Sequence, residues 1–229
     1  VALTFDATLI RMDDFRLIAD WQIGKGERVA ILGPSGAGKS TLLMALAGFV
    51  PLSAGRITWE GQDISRLPPD RRPVAMLFQD QNLFPHLTVG QNVGLGLSPR
   101  LRPDARQRSR VAQALAQVGL QGMEARRPAQ LSGGQQGRVA LARALLQDRP
   151  VLALDEPFAA LGPAMKADML DLVTKLAGER IVLMVTHDPA DARRLAGQTV
   201  VVSDGMAHPP APTARLLDNP PPALRAYLG

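Results

Sequence analysis

Eight consecutive residues, Gly33-Pro34-Ser35-Gly36-Ala37-Gly38-Lys39-Ser40, match the pattern G-x-x-x-x-G-K-[ST] in full. Glycines let a backbone curl tightly enough for successive N–H groups to converge on an anion such as a triphosphate. A helix opening directly behind them adds the positive end of its dipole. In that geometry Lys39 belongs between the β- and γ-phosphates and Ser40 on a Mg²⁺ ion, with Thr41 completing the phosphate-binding set. The loop follows an apolar run, Arg28 to Leu32, and precedes the helix-forming stretch Leu42 to Ala47, the context the pattern requires.

A second acidic site is Asp155-Glu156, at the end of the apolar run Val151 to Leu154. A carboxylate ending a buried strand is costly unless it meets a cation. Asp155 therefore points to Mg²⁺, through a bound water, and Glu156 to a general base for an attacking water. Gln79, just after Val74–Phe78, and His187, just after Ile181–Val185, follow further apolar runs. Both are expected at the γ-phosphate, with Gln79 also near the metal, because open α/β sheets bind ligands at the C-terminal ends of their strands. Taken singly, each of these residues would read as an ordinary loop or capping group. Ser132-Gly133-Gly134-Gln135 opens a second helix start ready for an anion. One chain hardly needs two such starts for one triphosphate, so these residues are expected to face a nucleotide held by another copy.

The elements that must position these groups alternate strand and helix, which predicts an α/β domain with a mostly parallel sheet. The opening residues, Val1 to Asp20, read as edge strands joined at Asp13-Asp14, an antiparallel β region. Between about residues 91 and 147 arginine, glutamine and alanine dominate, and Val111, Leu115 and Val118 fall at helical spacing, which predicts a helical insertion. The core then covers about residues 1–90 and 148–205, and the proline-rich 206–229 is expected to be an irregular or wrapping tail. Composition narrows the chemistry. With no cysteine, disulfides, thiol catalysis and Cys-based zinc sites are excluded, and three histidines leave little for a histidine-rich metal site. A net charge of +5 and 4% aromatic residues give neither a strong basic footprint nor a stacking platform for nucleic acid. No apolar stretch is long enough to span a bilayer, and no signal-peptide pattern opens the chain.

The order of glycine-rich loop, Gln79, Leu131-Ser132-Gly133-Gly134-Gln135, Leu154-Asp155-Glu156-Pro157 and His187 resembles the ATP-binding subunits of ABC transporters, over about residues 27–205. The resemblance implies a P-loop NTPase core of RecA-like type, ATP and Mg²⁺ as cofactors, and a head-to-tail dimer. Each ATP would lie between one chain's residues 33–40 and the other's 132–135. It also implies transmembrane permease partners docking near Leu83, Phe84 and Leu87, a periplasmic binding protein acting indirectly, and a location on the cytoplasmic face of the bacterial inner membrane. The segments Pro68 to Gln79, Asn82-Leu83-Phe84, His86 to Val89 and Gln91 to Leu97 are most similar to the ATPase subunits of bacterial thiamine importers. An importer for iron, polyamine or sulfate, a soluble ABC-type ATPase acting on nucleic acid, and a scaffold without turnover are the competing readings.

Three positions depart from the family pattern. Gly162 stands where the loop after Glu156-Pro157 usually carries Asp, and Gly137 where the following helix usually carries Gln or Glu. No aromatic occupies Leu9 to Met12, where the family stacks one on adenine. Phe15, Arg11 or Ile10 is left to cover the base.

Overall fold

The computed structural model describes residues 1–222, 224 and 225. Residues 223 and 226–229 of the expected tail lie outside the described part. The chain begins with a hairpin, β1 (Leu3–Met12) and β2 (Phe15–Ile23), turning at Asp13, whose φ of 47° is left-handed. β3 (Arg28–Leu32) leads into helix α1 (Lys39–Leu46), and a second hairpin follows, β4 (Ala54–Trp59) and β5 (Gln62–Asp63). β6 (Val74–Leu77) precedes helices α2 (Val89–Gly94), α3 (Ala105–Gln117) and α4 (Gly133–Leu146). β7 (Val151–Asp155), α5 (Pro163–Ala177), β8 (Ile181–Val185), α6 (Pro189–Leu195) and β9 (Gln198–Ser203) restore the strand–helix alternation. The chain continues through β10 (Met206–Ala207), β11 (Ala211–Pro212) and α7 (Thr213–Asp218).

The strands join in the order β5-β4-β1-β2-β10-β9-β3-β8-β7-β6, with β11 pairing β9 beside β10. From β9 to β6 every neighbour is parallel, whereas β1, β2, β4 and β5 pair antiparallel. The texture of the strands explains this division. β8 (Ile-Val-Leu-Met-Val) is buried at every residue, as a strand covered on both faces must be, while β2 alternates buried and open positions. Two apolar cores result. One lies between the antiparallel strands, α1 and one face of the parallel strands. The other packs α4 and α5 on the opposite face through Leu141, Met169 and Leu170.

Two expectations need correction. β1 is not an edge strand: it is flanked by β2 and β4, because Leu3, Phe5 and Ile10 bury one face of it in the core. Nor is the described part of the tail irregular. β11 adds to β9, and α7 packs Leu216 and Leu217 against a small cluster around Ala30 and Val201. Prolines flank the ordered pieces there, and Pro212 closes β11 as the N-cap of α7. In the helical stretch α2 starts at Val89, capped by Thr88 with Gln91 reaching back. α2, α3 and α4 share a third apolar cluster around Val93, Leu115 and Val139. α4 therefore faces both ways, toward the helices and toward the sheet.

Candidate nucleotide site

The sheet order β3-β8-β7-β6 sets the C-terminal ends of four neighbouring parallel strands in a row. From these ends leave, in turn, the glycine loop, His187, Asp155-Glu156 and Gln79. The loop itself depends on glycine at two places. A side chain at Gly33, φ 152°, would drive its Cβ into Val202 O, and one at Gly38, φ 103°, would strike the ring of Phe15. Gly38 is the N-cap of α1 and offers no side-chain cap. The first amides of α1 therefore have no intrahelical partner, as at any helix start, and are directed out of its end.

Lys39 is buried and folded back on the loop: its Nζ donates to Gly33 O at 2.8 Å and to Pro34 O at 2.9 Å. Burial holds its pKa below the ordinary lysine value, while the charges of Glu156 and Asp155 work the other way. The partners of the lysine are thus carbonyls that an anion can replace. Ser40 Oγ donates to Asp155 Oδ1 at 2.8 Å, linking the start of α1 to the end of β7. The Asp155 carboxyl is raised above its ordinary value, chiefly by burial. The Ser40 hydrogen bond opposes that, Glu156 adds to it, and Lys39 pulls the value down.

Glu156 follows with φ 43°, a left-handed conformation outside the regular strand, and its N–H donates to Val185 O at 3.1 Å. Its Oε2 lies 3.3 Å from Nδ1 of His187. The loop carrying His187 is fixed from behind by a charged cluster. Lys166 on α5 donates to Asp188 at 2.8 Å and Asp191 at 3.3 Å, and Thr186 Oγ1 donates to Asp191 at 2.8 Å. Gln79 is exposed in the turn after β6, and among the described residues its side chain makes no hydrogen bond. The structure therefore joins Lys39, Ser40, Asp155, Glu156 and His187 in one set and leaves Gln79 at its border.

Ser132 and Gln135 lie elsewhere. Ser132 caps α4, accepting from Gln135 N–H at 3.3 Å, while Gln135 Oε1 accepts from Ser132 N–H at 3.0 Å. The neighbours of Gly133 and Gly134 are Leu161 and Met165, and no hydrogen bond of Ser132 or Gln135 reaches residues 33–41. Ser132 and Gly133 are exposed. Within one chain the second anion-ready helix start is separate from the first.

Other expectations are corrected or refined. Ile10 is fully buried and cannot cover a base, whereas Arg11 is exposed and the Phe15 ring lies against Gly38. Leu83 is half-buried against two apolar clusters and Leu87 is buried, leaving Phe84, 45% exposed, as the most open of the three. Gly162 is the N-cap of α5, with Pro163 in the first turn and open space where a side chain would stand. Gly137 is buried on α4. Two residues that sequence reasoning missed are Lys166 and Arg143. The only signal for Arg143 is a lone cation inside the run Ala140-Leu141-Ala142-Arg143-Ala144-Leu145-Leu146.

The fold and this arrangement of strand ends define a nucleotide-binding cassette, and the family profile described as ABC transporter matches residues 18–159. The chain belongs to the ABC transporter family and is an ATPase component of such a transporter. It is 61% identical, over 99% of both chains, to the thiamine import ATP-binding protein ThiQ of Cereibacter sphaeroides (strain ATCC 17023). It is 52% identical to the ThiQ of Escherichia coli (strain K12) over 80% of both. Among solved structures it is similar to a dimeric ATP-binding cassette, MJ0796, in a post-hydrolysis state bound to ADP and Pi. That match has a TM-score of 0.78 and 29% identity, and covers 93% of this chain and 99% of the other. A nucleotide-free ABC cassette shares the fold, with a TM-score of 0.88 at 23% identity over 100% of this chain and 99% of the other.

Proposed function

We propose that this chain is the ATP-hydrolysing subunit of a bacterial importer for thiamine or thiamine phosphates, acting as a head-to-tail pair of copies. The reading is supported by the names of its close relatives and by one structural observation: the separation, within a single chain, of the loop 33–40 from the helix start at Ser132. Each half of the composite site then needs the other copy, and a dimer of a related cassette provides the precedent.

In this mechanism the phosphates displace the Gly33 and Pro34 carbonyls from Lys39, and the amides of Gly36, Gly38, Lys39, Ser40 and Thr41 line the phosphate chain. Ser40 and Asp155, already 2.8 Å apart, offer the paired hydroxyl and carboxylate oxygens that suit Mg²⁺, with Gln79 as a third oxygen. Mg²⁺ supplies neutralisation of the developing charge on the β- and γ-oxygens. No group of three or more His, Cys, Asp or Glu stands ready for a metal among the described residues. An ion brought in with the nucleotide's own oxygens accounts for that. Glu156 takes the proton of the attacking water. His187, 3.3 Å from it, orients Glu156 and donates toward the γ-phosphate. Ser132, Gly133, Gly134 and Gln135 of the second copy close over the triphosphate, and Phe15 or Arg11 covers the base.

The permease would dock beside Phe84; a largely apolar cavity of about 370 Å³, lined by Thr88, Gly94, Leu101 and Val111, opens between α2 and α3 of the same helical part. Among the described residues no helix is long and apolar enough to cross a membrane, so attachment at the inner face of the inner membrane would run through those partners. The deciding experiment is Glu156→Gln. Loss of a general base lowers turnover by about 10²–10⁴-fold, while ATP binding persists and gel filtration with ATP shows paired copies. Full hydrolysis by Glu156→Gln would remove the proposal.

A further inference from the structure

The turn after β6 is held from one side by α4. Arg143 donates through Nη1 to Asn82 O and through Nη2 to Gln81 O, both at 2.8 Å. The two acceptor residues have left-handed backbones, φ 57° at Gln81 and 44° at Asn82, a conformation asparagine tolerates but one that costs a glutamine energy unless its surroundings hold it there. The guanidinium is partly buried and depressed in pKa by that burial, with no carboxylate offsetting it. A charge placed there is therefore spent on backbone carbonyls alone.

One glycine makes the clasp tighter, while a Cβ at Gly137, earlier on α4, would meet the Gln81 amide at an ordinary contact distance of 3.5 Å. Gly96, after α2, admits Arg143's own carbonyl, which a Cβ at 96 would approach to 2.6 Å. The turn carrying Gln79 is thus fastened to a 14-residue helix, roughly 20 Å long, whose other end is capped by Ser132.

We infer that Arg143 is a positioning residue that makes the turn 79–82 and α4 move as one body. Contact of Gln79 with the nucleotide of its own chain is thereby passed to Ser132, which faces the nucleotide of the other copy. This rests on the roles proposed above for Gln79 and Ser132. Arginine suits the task because its rigid planar fork holds two carbonyls at a fixed separation, which the rotatable ammonium of a lysine does not impose.

The test compares full-length wild type, Arg143→Ala, Arg143→Lys and Gln79→Ala by amide hydrogen exchange with and without Mg-ATP, and by turnover against ATP concentration. In wild type, ATP is expected to protect residues 79–84 and 132–136 together. In Arg143→Ala the first segment stays protected and the second does not, with turnover down roughly tenfold, about 1.4 kcal/mol, and ATP affinity within about twofold of wild type. Arg143→Lys recovers part of both, and it carries the test if the alanine variant lacks a cooperative thermal transition. Joint protection persisting in Arg143→Ala, or in a lysine variant indistinguishable from wild type, overturns the inference while leaving the ATPase assignment intact. A Gln79→Ala chain with wild-type turnover instead overturns the role given to Gln79, and the relay with it.

Discussion

The two helix starts proposed to offer their amides to phosphate differ in what accompanies them. The start of α1 is crowded by partners from its own chain: Lys39 on two loop carbonyls, Ser40 on Asp155, and Asp155 followed by the Glu156–His187 pair. The start of α4 is occupied by its own capping box, Ser132 with Gln135, on an exposed turn. On the proposed reading, one is a site poised to grip and the other a cover stored in a closed form. A group that this reading needs only in a two-copy state gains nothing from being prepared in the single chain. The capping box keeps the loop ordered until a phosphate competes for its amides.

This contrast sets the order of the predictions. Lys39→Ala acts on the gripping site and is expected to weaken ATP binding by more than tenfold, measured by equilibrium titration on the single chain. Ser132→Ala acts on the cover. It removes one cap, worth about 1 kcal/mol of stability in thermal or urea unfolding, and lowers turnover while leaving single-chain ATP affinity unchanged. Equal losses of ATP affinity in both variants would erase the distinction between the two starts.

The third prediction concerns Asp155. Its folded carboxyl lies above its ordinary value because of burial. The folded chain then holds that proton more tightly than the unfolded chain, so the associated stability is full below the ordinary carboxylate range and is lost as pH rises through the raised value. Asp155→Asn is therefore expected to raise the melting temperature of nucleotide-free protein at neutral pH, with the gain vanishing in acid, and to weaken Mg-dependent turnover. A pH-independent gain would mean that burial of the charge is not its source. Smallest is Gly162→Asp. Gly162 is the N-cap of α5, where its backbone is extended and has open space around it. An aspartate there supplies the missing cap and stabilises by a few tenths of a kcal/mol, read as a rise of about a degree in melting temperature.

Much of this site is local and therefore legible in the sequence. Residues 33–40 are contiguous, and each of Gln79, Asp155 and His187 trails its own apolar run, so strand pattern alone sends them to one edge. What stayed hidden depends on residues far apart in the chain. Ile10 reads as a surface candidate because its neighbours alternate, yet β4 and β2 close over β1 from both sides. Leu87 sits in a polar turn whose burial is decided by Asn92, which bonds back to the carbonyls of Phe84, Leu87 and Thr88. The 61-residue gap between Asn82 and Arg143 contains three other helix or turn segments, so no periodicity announces that clasp. Prolines around 209–222 left irregular and wrapping readings open, and the structure shows β9 with a free edge to which two residues of the tail pair.

That same edge carries a wider consequence. Among the described residues the antiparallel and the parallel strands share ladder bonds through β10 and the Gly205 before it, with β10 running parallel to β2 and antiparallel to β9. The Trp21 indole donates to Ala207 O at 3.0 Å in the interior, and Gly205 O accepts from Ile18 N–H at 2.9 Å. This short rung works as a zipper slider between two fabrics. A polypeptide stopped at Asp204 would keep every residue of the phosphate loop yet is expected to let Phe15 drift from Gly38, so a rung formed by residues 206–207 has a hand in shaping a pocket built from residues 15–40.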